Sequence, residues 1–165
     1  MELLIVRHAV ACERSAQRWP DDAARPLSPR GALRARHAAA GVRRIVSRPA
    51  RVLTSPMKRA WQTAEILARY AGWPRAAPCQ ELLPGVPAAA LLAVLARSSE
   101  RRVAVVGHEP DLSRLLASCL PGNPGSAGFA LKKMGMALVA FRSNPRAGSG
   151  ELVWLLPPRT LRALR

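Results

Sequence analysis

Large rings, cysteines and acidic residues are scarce in this chain of 165 residues. Aromatic side chains make up 4% against 49% hydrophobic residues overall, so the core has to be assembled from Ala, Leu and Val rather than around rings. Cys12, Cys79 and Cys119 are odd in number and far apart, which suits neither a disulfide framework nor a CxxC metal site. Reduced thiols and no metal are expected. No apolar run approaches the ~20 residues that cross a bilayer. Met1-Glu2 leads straight into a strand pattern, without a basic stretch or a long apolar segment. A cytoplasmic protein without a membrane partner is the expectation, folded as a single domain over residues 1–165.

Ten acidic residues face 26 Lys and Arg, for a net charge of +16. Such a balance invites a nucleic-acid reading. However, arginine is spread along the whole sequence, and no RRM, KH, zinc-finger or homeodomain pattern accompanies it. Nucleic acid is therefore disfavoured as a partner. The charge suits an anionic substrate, such as a phosphorylated acidic protein or polyphosphate.

Strand-like and helix-like segments alternate along the chain. Leu3-Leu4-Ile5-Val6 is an unbroken apolar run that ends in Arg7-His8, and Val103-Ala104-Val105-Val106 ends in the same way in Gly107-His108. Such runs read as strands buried on both faces. Ser28-Pro29 is an N-cap followed by proline at the first helical position, opening an Ala- and Arg-rich helix to about Ile45. Arg51-Val52-Leu53-Thr54 reads as a strand. Ser55-Pro56 repeats the cap-and-proline signal for a helix with Ala60, Ala64, Leu67 and Ala68 on one face, ended by Gly72. A turn-rich link follows from Trp73 to Pro87. Short helices are predicted over Ala88 to Arg97 and from Pro110-Asp111 to about Cys119, then a loop over Pro121 to Gly128. Strands over Met136 to Phe141 and Leu152 to Leu156 flank a hairpin-like Ser143 to Gly150 segment. The pattern predicts an α/β fold, a three-layer α/β/α sandwich whose sheet is mainly parallel with an antiparallel edge from the final hairpin.

In an open α/β sheet the ligand crevice lies outside the carboxyl ends of the strands. His8 and His108 would both arrive there, and two imidazoles delivered together suggest phosphoryl transfer. That chemistry needs a nucleophile and positive donors for the phosphoryl oxygens. His8 fits the first role, provided a backbone carbonyl holds its other ring nitrogen. Arg7 can fork onto two oxygens. Arg59, in the first turn of its helix, sits against the dipole unless an anion stands in front of it. A protonated His108 adds a charge-assisted donor. Taken singly, each also has a plain reading as a loop histidine or a solvated arginine. His37, inside the first helix, reads as a surface or packing residue. No cysteine begins the phosphate-cradling loop of a thiol phosphatase.

Leu4-Ile5-Val6-Arg7-His8-Ala9, Arg25-Pro26-Leu27-Ser28 with Gly31, Val52-Leu53-Thr54-Ser55-Pro56 with Arg59-Ala60 and Gln62-Thr63-Ala64, Glu81-Leu82, and Val105-Val106-Gly107-His108-Glu109-Pro110 follow one another along the chain. This ordered set resembles the histidine phosphatase superfamily, with its phosphoglycerate mutase-like fold. The Arg-Pro-Leu-Ser segment, Leu131-Lys132 and the Trp154 to Pro158 stretch look like the SixA branch of bacterial phosphohistidine phosphatases. The resemblance implies a metal-independent and cofactor-free hydrolase in which His8 becomes a transient phosphohistidine and Arg7, Arg59 and His108 bind phosphate. It implies a role in signal transduction, with a phosphorylated protein of the histidine-containing phosphotransfer type as partner. Glu81 is the candidate proton donor, a surface Glu on the plain reading. Val10-Ala11 stands where phosphoglycerate mutases carry Glu-Thr, which argues against mutase activity.

Two alternatives stay open at this point. One is a phosphatase for small phosphomonoesters or polyphosphate-related compounds. The other is a non-catalytic binder of phosphate-rich ligands, whose affinity would fall steeply with salt.

Overall fold

A computed structural model describes residues 1–122 and 128–165. The loop expected over Pro121 to Gly128 falls mostly on residues 123–127, outside the described residues. Among the described residues, six strands form one sheet: β1 (Glu2–Arg7), β2 (Arg51–Thr54), β3 (Ala77–Pro78), β4 (Arg102–Gly107), β5 (Met136–Phe141) and β6 (Gly150–Leu156). Their order across the sheet is β3-β2-β4-β1-β5-β6. The first four run parallel, β5 is antiparallel to β1, and β6 is antiparallel to β5. The expected antiparallel hairpin edge is present.

Alternation along the strands divides the core into two halves. Leu4, Val6, Val52, Ala104, Val106 and Met136 point to one face, packed under α1 (Pro29–Ile45), α2 (Lys58–Ala71) and α5 (Pro158–Ala163). Leu3, Ile5, Leu53, Val103, Val105 and Ala137 point to the other, under α3 (Ala88–Ala96) and α4 (Asp111–Cys119). Both faces are covered, so the middle of each central strand, Leu3–Val6 in β1 and Val103–Val106 in β4, is apolar without alternation. The result is the three-layer α/β/α sandwich that the sequence predicts. Among the described residues no helix is long and apolar enough to cross a membrane.

Local chemistry sets the boundaries. Ser28 caps α1, its hydroxyl accepting from the Gly31 N–H at 3.0 Å, with Pro29 in the first turn. Gly72 closes α2 in the left-handed region at φ 72°, where a Cβ would be strained. Three details depart from the expectation. Ser55 does not cap α2, which begins after Met57 without a side-chain cap; the Ser55 hydroxyl accepts from the Met57 N–H at 3.4 Å, ahead of the helix. The turn-rich link contains the two-residue strand β3, whose exposed residues carry no apolar alternation. Finally, α5 follows β6 directly and buries Leu161, but with six residues it is too short to announce itself by periodicity.

Candidate active site

Parallel pairing of β1 with β4 sets Arg7 opposite Gly107, so the next residue of each strand, His8 or His108, leaves the sheet at the same edge. The His8 N–H donates to the Gly107 carbonyl at 3.0 Å, extending the ladder by one step. The ring centroids of His8 and His108 stand 5.1 Å apart. Both residues are buried, at 7% and 4% exposure, in a polar neighbourhood.

His8 Nδ1 donates to the carbonyl of Ala9 at 2.7 Å. The bond is local and needs only the chain to turn after β1. That turn is pinned by the Ala9 N–H donating to Thr63 Oγ1 at 3.0 Å, while the Thr63 hydroxyl donates to the Arg59 carbonyl at 2.7 Å. With Nδ1 occupied as a donor, the Nε2 lone pair of His8 is the free one. Burial lowers the His8 pKa to about 3; the Ala9 carbonyl opposes the drop, and His108, Arg59 and Arg7 add to it. The ring is neutral at physiological pH and nucleophilic.

The His108 pKa is lowered to about 4, first by burial and then by Arg59, with Asp22 opposing. Before an anion arrives this ring is neutral. Its Nε2 shares a 2.9 Å hydrogen bond with Ser55 Oγ, and its buried Nδ1 has no partner among the described residues. Ser55 follows β2, the strand beside β4, and its N–H donates to the Val106 carbonyl at 2.9 Å. The residue read from sequence as a helix cap thus orients an imidazole.

Two arginines complete the set. Arg7 NH1 donates to the Leu131 carbonyl at 2.7 Å. Arg59, at 4% exposure, donates through NH1 to the Asp22 carbonyl at 2.9 Å and pairs through NH2 with the Asp22 carboxylate at 3.1 Å. The Nε atoms of both arginines are buried without a partner among the described residues. Buried polar atoms without partners are costly, and these two share one site with His108 Nδ1. They line an open cleft of about 810 Å³ together with His8, Arg14, Arg25, Lys133, Glu13, Asp22 and Glu109. Five cations face three carboxylates there, a surface suited to a compact anion.

The carboxylates of the neighbourhood are largely occupied. Asp22 accepts from Arg25 Nε at 2.8 Å. Glu109 accepts from the Leu131 N–H at 2.7 Å and from the Ser113 hydroxyl and N–H at 2.7 and 3.1 Å. Glu81 lies outside the lining of this cleft. It borders a small notch of about 20 Å³ that it shares with His108. Its own backbone N–H and the Cys79 thiol hold its carboxyl below the usual range, the thiol donating at 3.2 Å.

His37 lies half-buried on α1, away from this set. The three cysteines are unpaired; burial pushes the Cys79 thiol up to about 11 and Cys119 to about 12, far from nucleophilic thiolates. Among the described residues no cluster of His, Cys, Asp and Glu is arranged to hold a metal ion. Sequence reading passed over Ser55, Asp22 and Arg25 as site residues. For Asp22 no signal distinguishes it from an ordinary loop carboxylate.

Comparison with known proteins adds an independent line. The family model for the histidine phosphatase superfamily (branch 1) matches residues 3–82. An uncharacterized protein from a Picosynechococcus strain is 34% identical over 147 residues, covering 87% of this chain and 86% of its own. The structure of the protein histidine phosphatase SixA complexed with tungstate superposes with a TM-score of 0.84 at 28% identity, covering 98% of this chain and 99% of that one. A putative phosphohistidine phosphatase SixA from Agrobacterium tumefaciens shares the fold, with a TM-score of 0.79 at 21% identity over 95% and 97% of the two chains. The chain belongs to the histidine phosphatase superfamily and is a phosphatase that works through a histidine nucleophile.

Proposed function

We propose that this phosphatase removes the phosphoryl group from phosphohistidine on a protein, with His8 as the nucleophile. The observation that carries the reading is the 2.7 Å bond from His8 Nδ1 to the Ala9 carbonyl, which leaves Nε2 as the attacking atom. His8 Nε2 attacks phosphorus in line, and the P–N bond to the substrate imidazole breaks. That imidazole departs once its ring has taken a proton. Water then attacks the phosphorylated His8, releasing inorganic phosphate and restoring the neutral ring. Arg7 and Arg59 stabilise the equatorial oxygens in both steps. A bound dianion raises the affinity of His108 for a proton, and the imidazolium adds a further charge-assisted donor.

Substrate preference follows from the acids. An alkoxide leaving group needs a proton donor, whereas a protonated imidazole leaves without one. The carboxylates of Asp22 and Glu109 are engaged in hydrogen bonds, Glu81 is tied to Cys79, and Glu13 is exposed on the rim. The phosphoramidate is the easier bond for such a site. An open cleft of about 810 Å³ also admits a phosphate presented by a protein surface.

The test compares release of phosphate from a histidine peptide phosphorylated with phosphoramidate against release from 4-nitrophenyl phosphate, using native protein and His8→Ala. Faster turnover of the peptide, lost in the variant, supports the proposal. Preference for the ester, or full activity in His8→Ala, overturns it.

A further inference from the structure

Asp22 holds Arg59 from two directions, and the Met57 sulfur accepts from the same guanidinium at 3.3 Å. Asp22 lies in the 3-10 turn Asp22–Ala24, fixed at its start by Asp21, whose carboxylate accepts from the Ala23 N–H at 2.8 Å. The Asp22 backbone carbonyl accepts from Arg59 NH1 at 2.9 Å, and its carboxylate meets Arg59 NH2 at 3.1 Å. The same carboxylate accepts from Arg25 Nε at 2.8 Å and stands 3.9 Å from Arg14 Nε. Arg25 is anchored in turn, its NH1 donating to the Cys12 carbonyl at 2.8 Å. Two nearly buried guanidinium groups, Arg25 and Arg59, are thus bridged by one carboxylate.

Electrostatics make this bridge necessary. Arg7, Arg14, Arg25 and Arg59 all line the cleft, and their mutual repulsion would turn the least anchored of them toward solvent. Burial works against the charge of Arg59, and Asp22 is the principal group favouring it. A planar guanidinium gripped at both terminal nitrogens has a fixed plane. Arg59 is preorganised, and no ordering of a long side chain is left for the moment of reaction.

We infer that Asp22 is a positioning residue that fixes the plane of the Arg59 guanidinium in the phosphate site, with Arg25 as its anchor, an inference that rests on Arg59 serving as a phosphate ligand. Electrostatics alone predicts the opposite outcome for removal of this carboxylate. A lost negative charge would tighten binding of every anion, whereas a lost bracket weakens transition-state contacts.

The experiment is a double-mutant cycle on the full chain with the phosphorylated histidine peptide, using Asp22→Asn, Arg59→Ala and the double variant. Asp22 is 42% exposed as a side chain and Asn has its shape, so the fold survives; Asp22→Ala provides a second, independent variant. Asp22→Asn is expected to lower kcat at least tenfold with KM changed less than threefold, and to cost nothing further once Arg59 is alanine, on the order expected for a lost orienting contact. Inhibition by inorganic phosphate should weaken. Unchanged or raised kcat, tighter inhibition by phosphate, or losses that add in full to those of Arg59→Ala overturn the inference. An Arg59→Ala variant with full activity overturns the phosphate-site assignment itself, and the inference with it.

Discussion

The imidazoles of His8 and His108 face each other at 5.1 Å because β1 and β4 are hydrogen-bonded neighbours running the same way, with Arg7 level with Gly107. Removal of one ring therefore leaves the other in place. His108→Ala is expected to lower kcat by about 10²-fold, the scale of one lost transition-state donor, while His8 still becomes phosphorylated. Radiolabel from the phosphorylated peptide should appear on the variant in a form stable to alkali and lost in acid. Failure to label at all would mean that His108 is needed for attack itself.

Burial pushes His8 to about 3 and His108 to about 4, against 6.5 for an ordinary histidine. Below pH 6.5 the unfolded chain takes up protons that the folded chain refuses. Stability therefore falls as pH falls, from about 6.5 to about 4 for His108 and about 3 for His8; above that window neither ring contributes a pH dependence. The slope is ~1.4 kcal/mol per pH unit for each histidine. Urea unfolding at pH 7 and pH 5 checks it: His8→Gln and His108→Gln should each lose less stability on acidification than the native chain. Identical losses in all three proteins would contradict the burial-driven shifts.

Ser55→Ala removes the only hydrogen bond of the His108 ring among the described residues, leaving both of its nitrogens without a partner. The ring stays packed but loses its rotational reference. Stability should drop by ~1–2 kcal/mol and kcat by about tenfold, as misorientation of a contacting group predicts. Steady-state kinetics beside a urea titration separates the two effects. Ser55→Thr, which keeps the hydroxyl, should recover much of the rate.

The parts of the fold legible in the sequence are those dictated by local periodicity or by a cap. β1 and β4 read as unbroken apolar runs because both faces of the sheet are covered, and Ser28-Pro29 marks the start of α1 because that serine does cap it. The same signal misplaced the start of α2, since the Ser55 side chain is engaged by His108 across 53 positions of sequence. Its hydroxyl serves a tertiary partner while still accepting locally from the Met57 N–H at 3.4 Å, ahead of the first helical turn. Asp22 was illegible for a related reason: its partners Arg25 and Arg59 come together only after α2 packs beside the loop. Short elements such as β3 and α5 hold too few residues to show a period.

Glu81→Gln tests the acid directly. A carboxyl that protonates the leaving group contributes about 10²–10⁴ in rate, so its loss would be unmistakable. The Glu81 carboxylate accepts from the Cys79 thiol at 3.2 Å, lies off the His8 cleft and is held below its usual range. Turnover of the phosphorylated histidine peptide should change less than about threefold, well under the span of a true general acid. A hundredfold loss on the peptide would make Glu81 the proton donor after all.

Gly31→Ala sets helix propensity against packing. In an exposed helix the change would gain ~1 kcal/mol. At this position a Cβ would lie 2.0 Å from the Val10 carbonyl oxygen and 2.9 Å from Ser28 Oγ. That carbonyl is fixed, since it accepts from the Ser28 N–H at 3.0 Å and lies in the loop leading out of the active site. Backbone cannot swing aside as a long side chain would, so α1 has to shift or the loop has to lift. The clash wins: a net loss of ~2 kcal/mol or more is expected, a fall in Tm of roughly 4–8 °C for a chain of this size. Because Val10 lines the cleft, kcat/KM should fall with it, and a variant that melts at the native temperature would show that α1 does not approach the loop this closely.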